Sequence, residues 1–495
     1  MSTDQLIVVP VVLPLLGAAL SMVVHGHRWL QRVIGAAVLS LVLAAAIALL
    51  VEVHQQGVVA LHVGAWPAPI GITLVADLFS AIMVVVSAAT LLAVFVYAIG
   101  QPRTDSLSHW FHPVYLTLAA GVALAFLTGD LFNLFVAFEI MLMSSYVLIT
   151  LGGSRDQIRS GTTYVVIGLL ASTLFISAVG LVYAATGTVD MADLSMRLED
   201  VPVEVRAALG ALLLVTFGVK AAIFPLFFWL PDSYPTARTP ITAIFAGLLT
   251  KVGVYAIVRT QTLLFPADEP SLLLLTLAGA TMLVGVLGAI AQGDMKRILS
   301  FHIVSQIGYM IMGVGLFTVA GVAATIFFIV HQIVVKTSLF LVNGLVEFHG
   351  GTANLRRLGG WAHRKPFLAV LFLLSALSLA GLPPFSGFVG KLGLIEAGTD
   401  EARWVIVAVS LLASLLTLFS MTKIWAGVFW GAAEDPVAGG AGDAPSPPLM
   451  LGATAALVTA SIVIALAAGP IYDLAEQAAA GLLDPTAYRT AVLGS

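Results

Sequence analysis

The chain predicts an all-α polytopic membrane protein of about fourteen transmembrane helices, and three observations carry that prediction. Of its 495 residues, 60% are hydrophobic and 10% charged, with a mean hydropathy of +1.04, too apolar for a soluble protein of two or three domains. The apolar residues fall into runs of roughly 20, the length that crosses a ~30 Å hydrocarbon core as a helix. Two of those runs are interrupted by proline or glycine next to a lysine, the mark of broken helices that line a path through the membrane.

In chain order the predicted spans are 5–24, 31–52, 73–99, 112–129, 131–151, 161–186, 206–230, 240–263, 271–291, 298–318, 321–346, 366–397, 403–430 and 448–468. The first has no basic region before it and no small-residue cleavage site after it, so it reads as a retained span rather than a leader. Residues 1–110 form an N-terminal scaffold of three helices, with Asp77 near the outer end of the third. Residues 111–265 then supply helices four to eight and residues 266–430 helices nine to thirteen. The broken spans are the seventh and the twelfth, each the fourth member of a run of five. A five-helix unit repeated once is inverted in the membrane, and matching interruptions in two halves point to a transport site. Residues 431–495 hold a polar, flexible loop (431–448), a last span, and an amphipathic stretch from Ile471 to Leu483 expected at the outer interface. The acidic segment Gly187 to Val205 reads as an amphipathic turn on the outer surface without an assigned function.

Orientation follows from the basic residues of alternate loops. Arg197, Arg206, Arg259, Arg403 and Arg489 fall on one side, and Lys220, Lys251, Lys336 and Lys391 lie inside spans. The remaining thirteen of 22, Arg103 among them, fall on the other side, which is therefore expected to be cytoplasmic with both termini outside.

Composition also narrows the chemistry. Zero cysteines exclude disulfides and thiolate-held zinc, haem or iron–sulfur centres, so no redox cofactor is expected. No carboxylate/histidine pair has ligand spacing on one helix face, so no metal is expected either. The net charge of −4 is spread out, with no basic block for nucleic acid.

Ionisable residues inside spans are the candidates for function, because a charge at mid-bilayer costs a few kcal/mol and faces a bundle interior or a wet cavity. Glu139 lies about nine residues into its span, ~13 Å deep at 1.5 Å per residue. Lys251, His331 and Lys336 are also central. Lys220 precedes a stretch broken by Pro225, Pro231, Pro235 and Pro240, and Lys391 follows the interruption LAGLPPFSGFVG. Together they form a lateral row of titratable groups. A Glu–Lys pair that opens and closes switches the lysine between holding and releasing a proton, a histidine relays through either ring nitrogen, and hydroxyls such as Ser144, Thr250, Ser305 and Thr337 anchor bridging water. The alternative is a set of static ion pairs that fix helix register. His302 stands open between relay and hydrogen-bonded core residue. Glu347 and His349 are placed at the interface, and Glu396 near the outer surface.

Several of these segments also carry a resemblance. TGDLFNLFVAFEIMLMSSYVLI, WLPDSYPTARTPITAIFAGLLTKVGVY, SFHIVSQIGYM, HQIVVKTSLFLVNG and GLPPFSGFVGK resemble the antiporter-like family shared by respiratory complex I, membrane-bound hydrogenases and the multisubunit Mrp cation/proton antiporters. FFWLPDSYPTA followed by LLTKVGVYAIVR looks most like the D-type Mrp branch. The larger branches extend well beyond fourteen spans. Gln332 stands where relatives often have histidine, and Lys391 where the middle complex I homologue has glutamate.

The resemblance implies Glu139 and Lys220 as the ion pair of a first half-channel, Lys251 as a bridge, His331 and Lys336 as a central relay, and Lys391 as the terminal lysine of the second half. It further implies a secondary-transporter subunit rather than an enzyme, working in the bacterial inner membrane. Its partners would be subunits of A, B, C, E, F and G type, with H+ and Na+ as the exchanged ions. The runner-up is a proton-pumping subunit of complex I or a related hydrogenase or formate complex.

Overall fold

The computed structural model describes residues 3–102, 104–105, 108–267, 271–433 and 440–494. Arg103 and residues 434–439 of the polar loop lie outside them.

The chain opens with α1 (Thr3–Val23), α2 (Arg28–Gln56) and α3 (Leu78–Gly100), and continues with α4 (Phe111–Leu127), α5 (Leu131–Thr150), α6 (Arg155–Thr186) and the short α7 (Met191–Arg197). Next come α8 (Val203–Ala221), α9 (Trp229–Ser233), α10 (Thr239–Ile244) and α11 (Thr250–Leu263), the last two joined by a π turn at Phe245–Leu249. The second half contains α12 (Leu272–Ala291), α13 (Met295–Leu316), α14 (Val319–Gly350), α15 (Trp361–Arg364), α16 (Pro366–Ala380), α17 (Ser386–Asp400) and α18 (Trp404–Ile424). The chain closes with α19 (Pro448–Leu466), α20 (Ala468–Leu483) and α21 (Thr486–Leu493).

Each of the fourteen predicted spans contains a helix. Eleven described helices, counting α10 to α11 as one, are long and apolar enough to cross a membrane, and α4 and α16 are shorter apolar helices. The fourteenth, α8, carries Glu204, Arg206 and Lys220 within 19 residues. Side-chain caps set many of the starts: Asp77, Asp130, Ser154, Ser271, Asp294 and Thr318 each accept a backbone N–H from the first turn of the helix that follows.

Burial sorts the helices. The apolar stretches of Thr239–Leu263, Met295–Leu316 and Val319–Gly350 are 94%, 94% and 89% buried, against 33–39% for α1, α2, α6 and α19. The row residues on α11 and α14 are therefore at the centre of the molecule, and the outer helices present apolar faces to lipid or to other chains.

Both expected interruptions are present. Beyond α8 the chain turns through Ala222, whose φ of 61° is left-handed, and the indole of Trp229 donates to the carbonyl of Val219 at 3.1 Å, which also accepts the Ala222 N–H. Between α16 and α17, Gly381 (φ 85°) ends one half-helix before Ser386 starts the other.

Two expectations need correction, at residues 73–76 and in the polar loop. Residues 73–76, assigned to the third span, are a strand that pairs antiparallel with 59–62, and α3 starts only after the Asp77 cap. The segment Gly187–Val205 forms α7, with Met191, Ala192 and Leu194 buried and Arg197, Glu199 and Asp200 exposed. The apolar side of Ile471–Leu483 is turned to protein, with Ala475, Ala478, Ala479 and Leu482 buried and the Tyr472 ring 5.7 Å from that of Phe327. The described end of the polar loop is pinned rather than free, since Ala441 and Gly442 N–H donate to Phe348 and His349 carbonyls and Arg364 pairs with Asp443 at 2.8 Å.

Candidate functional site: a buried polar row

In the first half, α5, α6 and α8 bring Glu139, Ser172 and Lys220 together. Ser172 Oγ donates to Glu139 Oε1, and Lys220 Nζ donates to Ser172 Oγ at 3.4 Å and to the Gly168 carbonyl at 3.5 Å. Among the described residues no salt bridge joins Glu139 directly to Lys220; the hydroxyl stands between them. A cavity of about 40 Å³, room for water, lies beside Lys220 and is lined by Tyr164, Trp229 and Tyr234.

Lys251 follows the π turn. Its Nζ donates to the Ala246 carbonyl at 2.7 Å and to Thr250 Oγ1 at 3.4 Å. A π turn widens the helix by one residue and leaves carbonyls without their i+4 donors, so the lysine takes a bond that the ladder gives up. Lys336 on α14 is fully buried, and its Nζ has no hydrogen-bond partner among the described residues. His331, on the same helix, is hydrogen-bonded through Nδ1 to Ser386 Oγ at 2.8 Å. Ser386 in turn contacts Ser378 Oγ at 3.3 Å, which ties the central histidine to both sides of the second break.

Lys391 on α17 reaches back across that break. Its Nζ donates to the carbonyls of Leu379 (3.1 Å) and Ala380 (2.9 Å), the last residues of α16, and to Ser414 Oγ (3.0 Å), and it lies 5.0 Å from the centre of the Tyr309 ring. The carbonyl end of a half-helix is a site for a cation.

Of the hydroxyls named from sequence, Thr250 touches a row lysine. Ser305 and Thr337 instead bond the carbonyls of Met282 and Ile333, and Ser144 is buried on α5. His302 Nε2 is hydrogen-bonded to Ser420 Oγ at 2.9 Å, and its buried Nδ1 has no partner among the described residues. Sequence reasoning missed Ser172, Ser378, Ser414 and Tyr309, because a serine or tyrosine in a span carries no signal of its own. It also counted Arg259 as a loop-end residue. Arg259 is 6% exposed and forms a 2.6 Å ion pair with Asp77, which ties α11 to the start of α3. No three His, Asp or Glu among the described residues gather to hold a metal ion.

The family described as NADH:quinone oxidoreductase/Mrp antiporter, transmembrane, matches residues 128–417, a segment that contains every residue of the row. The chain belongs to that family. Its similarity to individual members runs over the full length. It is 44% identical to a protein of Alkalihalophilus pseudofirmus named as the D-type subunit of a Na(+)/H(+) antiporter, over 99% of both chains, and 37% identical to the protein so named in Bacillus subtilis, again over 99% of both. A chain in the structure of the Mrp complex from Dietzia sp. superposes with a TM-score of 0.92 at 35% identity, covering 100% of each chain. Within this antiporter family, then, the likeness extends over α1–α3 and the C-terminal helices as well as the matched segment.

Proposed function

We propose that this chain is the proton-conducting membrane subunit of a multisubunit Na+/H+ antiporter. In this reading it moves protons along Glu139, Lys220, Lys251, His331, Lys336 and Lys391 with the intervening hydroxyls and water. The observation that carries it is that none of the four row lysines has a carboxylate salt-bridge partner among the described residues, whereas lysines and arginines elsewhere, such as Arg259, Lys296 and Arg364, do. A device that fixes helix register would pair each buried charge, because an uncompensated one is costly. Lysines bonded to hydroxyls and open carbonyls are set to exchange protons instead.

On this reading residues 111–265 and 266–430 are two half-channels of opposite orientation, and Lys251 and Lys336 pass protons between them. The basic face is cytoplasmic, both termini lie outside, and the membrane is the bacterial inner membrane. Cation exchange requires partner subunits of A, B, C, E, F and G type, for which the names of the relatives and of the superposing complex are the support. The test is proton flux in vesicles on addition of Na+. The whole complex should exchange and this subunit alone should not; robust Na+-dependent proton movement by the lone subunit would overturn the division of labour.

A further inference from the structure

An open polar cavity of about 290 Å³ lies in the basic face between the ends of α10, α13 and α14. Its walls include Gln101, Gln157, Arg238 and Thr239, and its floor carries Lys296 and Glu347, an ion pair at 2.9 Å. Glu347 also accepts from Thr239 Oγ1 at 3.4 Å.

One helical turn below Glu347 on α14 sits Asn343. It is fully buried, and neither its Oδ1 nor its Nδ2 has a hydrogen-bond partner among the described residues. Two turns further in lies Lys336, whose Nζ is likewise unpartnered. Positions 347, 343 and 336 are separated by four and seven residues, so the three side chains share one face of α14. The spacings along the axis are about 6 Å and 10 Å at 1.5 Å per residue, and a lysine side chain plus one or two waters spans the longer one. An amide buried with all its hydrogen-bonding capacity unmet is destabilising unless water fills it. Its neighbours along α14, Leu339, Phe340, Leu341, Val342 and Leu345, are buried hydrocarbon.

We propose that Asn343 holds the water that connects the Lys296–Glu347 cavity to Lys336, making it a positioning residue of a central proton entrance. This inference rests on the row reading above and adds an entrance to it. A proton leaves the cavity water, passes along waters hydrogen-bonded to the Asn343 amide, and ends on the neutral Lys336 amine, which becomes an ammonium; the waters then reorient for the next transfer. The amide itself gains and loses no proton. Its carbonyl and NH2 orient the waters in the stretch bordered by Leu339 and Phe340.

The experiment is Na+-dependent exchange in everted vesicles that carry the complete complex, comparing Asn343→Leu, Asn343→Ser and Lys336→Ala at matched assembly, together with the unfolding temperature of each purified complex. Asn343→Leu should slow exchange about tenfold or more, the scale of one lost buried hydrogen-bonding group. The same variant should unfold at the wild-type temperature or above, because the amide gives up only bonds to water and none to a described protein group. Asn343→Ser, which keeps a hydroxyl and makes room for water, should recover most of the rate. Wild-type exchange by Asn343→Leu, a lowered unfolding temperature in that variant, or equal loss in Leu and Ser variants would each overturn the proposal. Lys336→Ala separates it from the row reading. Loss there with normal exchange in Asn343→Leu defeats only the entrance, and normal exchange in Lys336→Ala defeats the row itself.

Discussion

Ser172 stands between Glu139 and Lys220. Its hydroxyl donates to the carboxylate and accepts from the ammonium at 3.4 Å, so the two charges communicate through a group that can rotate. A direct contact would hold the lysine proton by Coulomb attraction. A hydroxyl bridge lets the attraction change with one side-chain torsion, which is what a gate needs.

Glu139→Gln and Lys220→Ala should therefore abolish exchange while the complex still assembles. Ser172→Ala should slow exchange about tenfold, the worth of a hydrogen bond to a charged group, and Ser172→Thr should retain much of the rate. Near wild-type exchange with Glu139→Gln or Lys220→Ala would remove the gate from the mechanism.

The Asp77–Arg259 pair predicts stability rather than transport. Arg259 is buried and Asp77 largely so, and Arg259 lies 5.3 Å from the centre of the Tyr488 ring on α21, so the pair joins α3, α11 and the C-terminal segment. Arg259→Leu alone leaves a buried carboxylate and should cost about 3–5 kcal/mol, whereas Asp77→Asn combined with Arg259→Leu should recover part of it. Thermal unfolding of the detergent-solubilised protein reads this directly. An Arg259→Leu variant that unfolds at the wild-type temperature would contradict the assignment.

Asp130, in the short turn before α5, predicts a pH dependence. Burial raises its carboxyl from 3.8 to about 6; the negative charge of Asp190 adds to the rise, and the Asn133 N–H opposes it. The folded protein thus holds the Asp130 proton more tightly than the unfolded chain does. The stability this gives is fully present below about pH 4 and is lost as pH rises through about 6, a cost of roughly 3 kcal/mol at neutral pH. Asp130→Asn keeps an oxygen to accept the Asn133 N–H and removes that cost. Its unfolding temperature should exceed wild type at pH 8 and match it near pH 4; a gain independent of pH would point to another cause.

Much of the row was legible in the sequence, because a lysine or glutamate inside an apolar run is expensive and therefore conspicuous. Lys220 and Lys391 were further marked by the prolines and glycines next to them. Less visible were the groups that tune the row. Ser172 and Ser414 look like any serine in a membrane helix, and the π turn at Phe245–Leu249 has no residue signature, although it supplies the carbonyl that Lys251 occupies. The burial of Arg259 was not legible because its partner, Asp77, lies 182 residues earlier in the chain. The strand at 73–76 was absorbed into a span because Thr-Leu-Val-Ala is as apolar as the helix that follows.

The central claim is that the buried lysines titrate as they work, and Lys391 tests it most directly. Its Nζ is held by the end carbonyls of α16, with Ser414 beside it and no carboxylate in contact among the described residues. A side chain that hands a proton on must be able to exist without it, which arginine cannot. The measurement is Na+-dependent proton exchange by the complete complex in everted vesicles, wild type against Lys391→Arg and Lys391→Glu at matched expression. The account predicts that the arginine variant loses most exchange although it keeps the positive charge, while the glutamate variant retains part of it. Exchange by Lys391→Arg equal to wild type would show that this position supplies fixed charge only, and would contradict proton passage through the second half of the row.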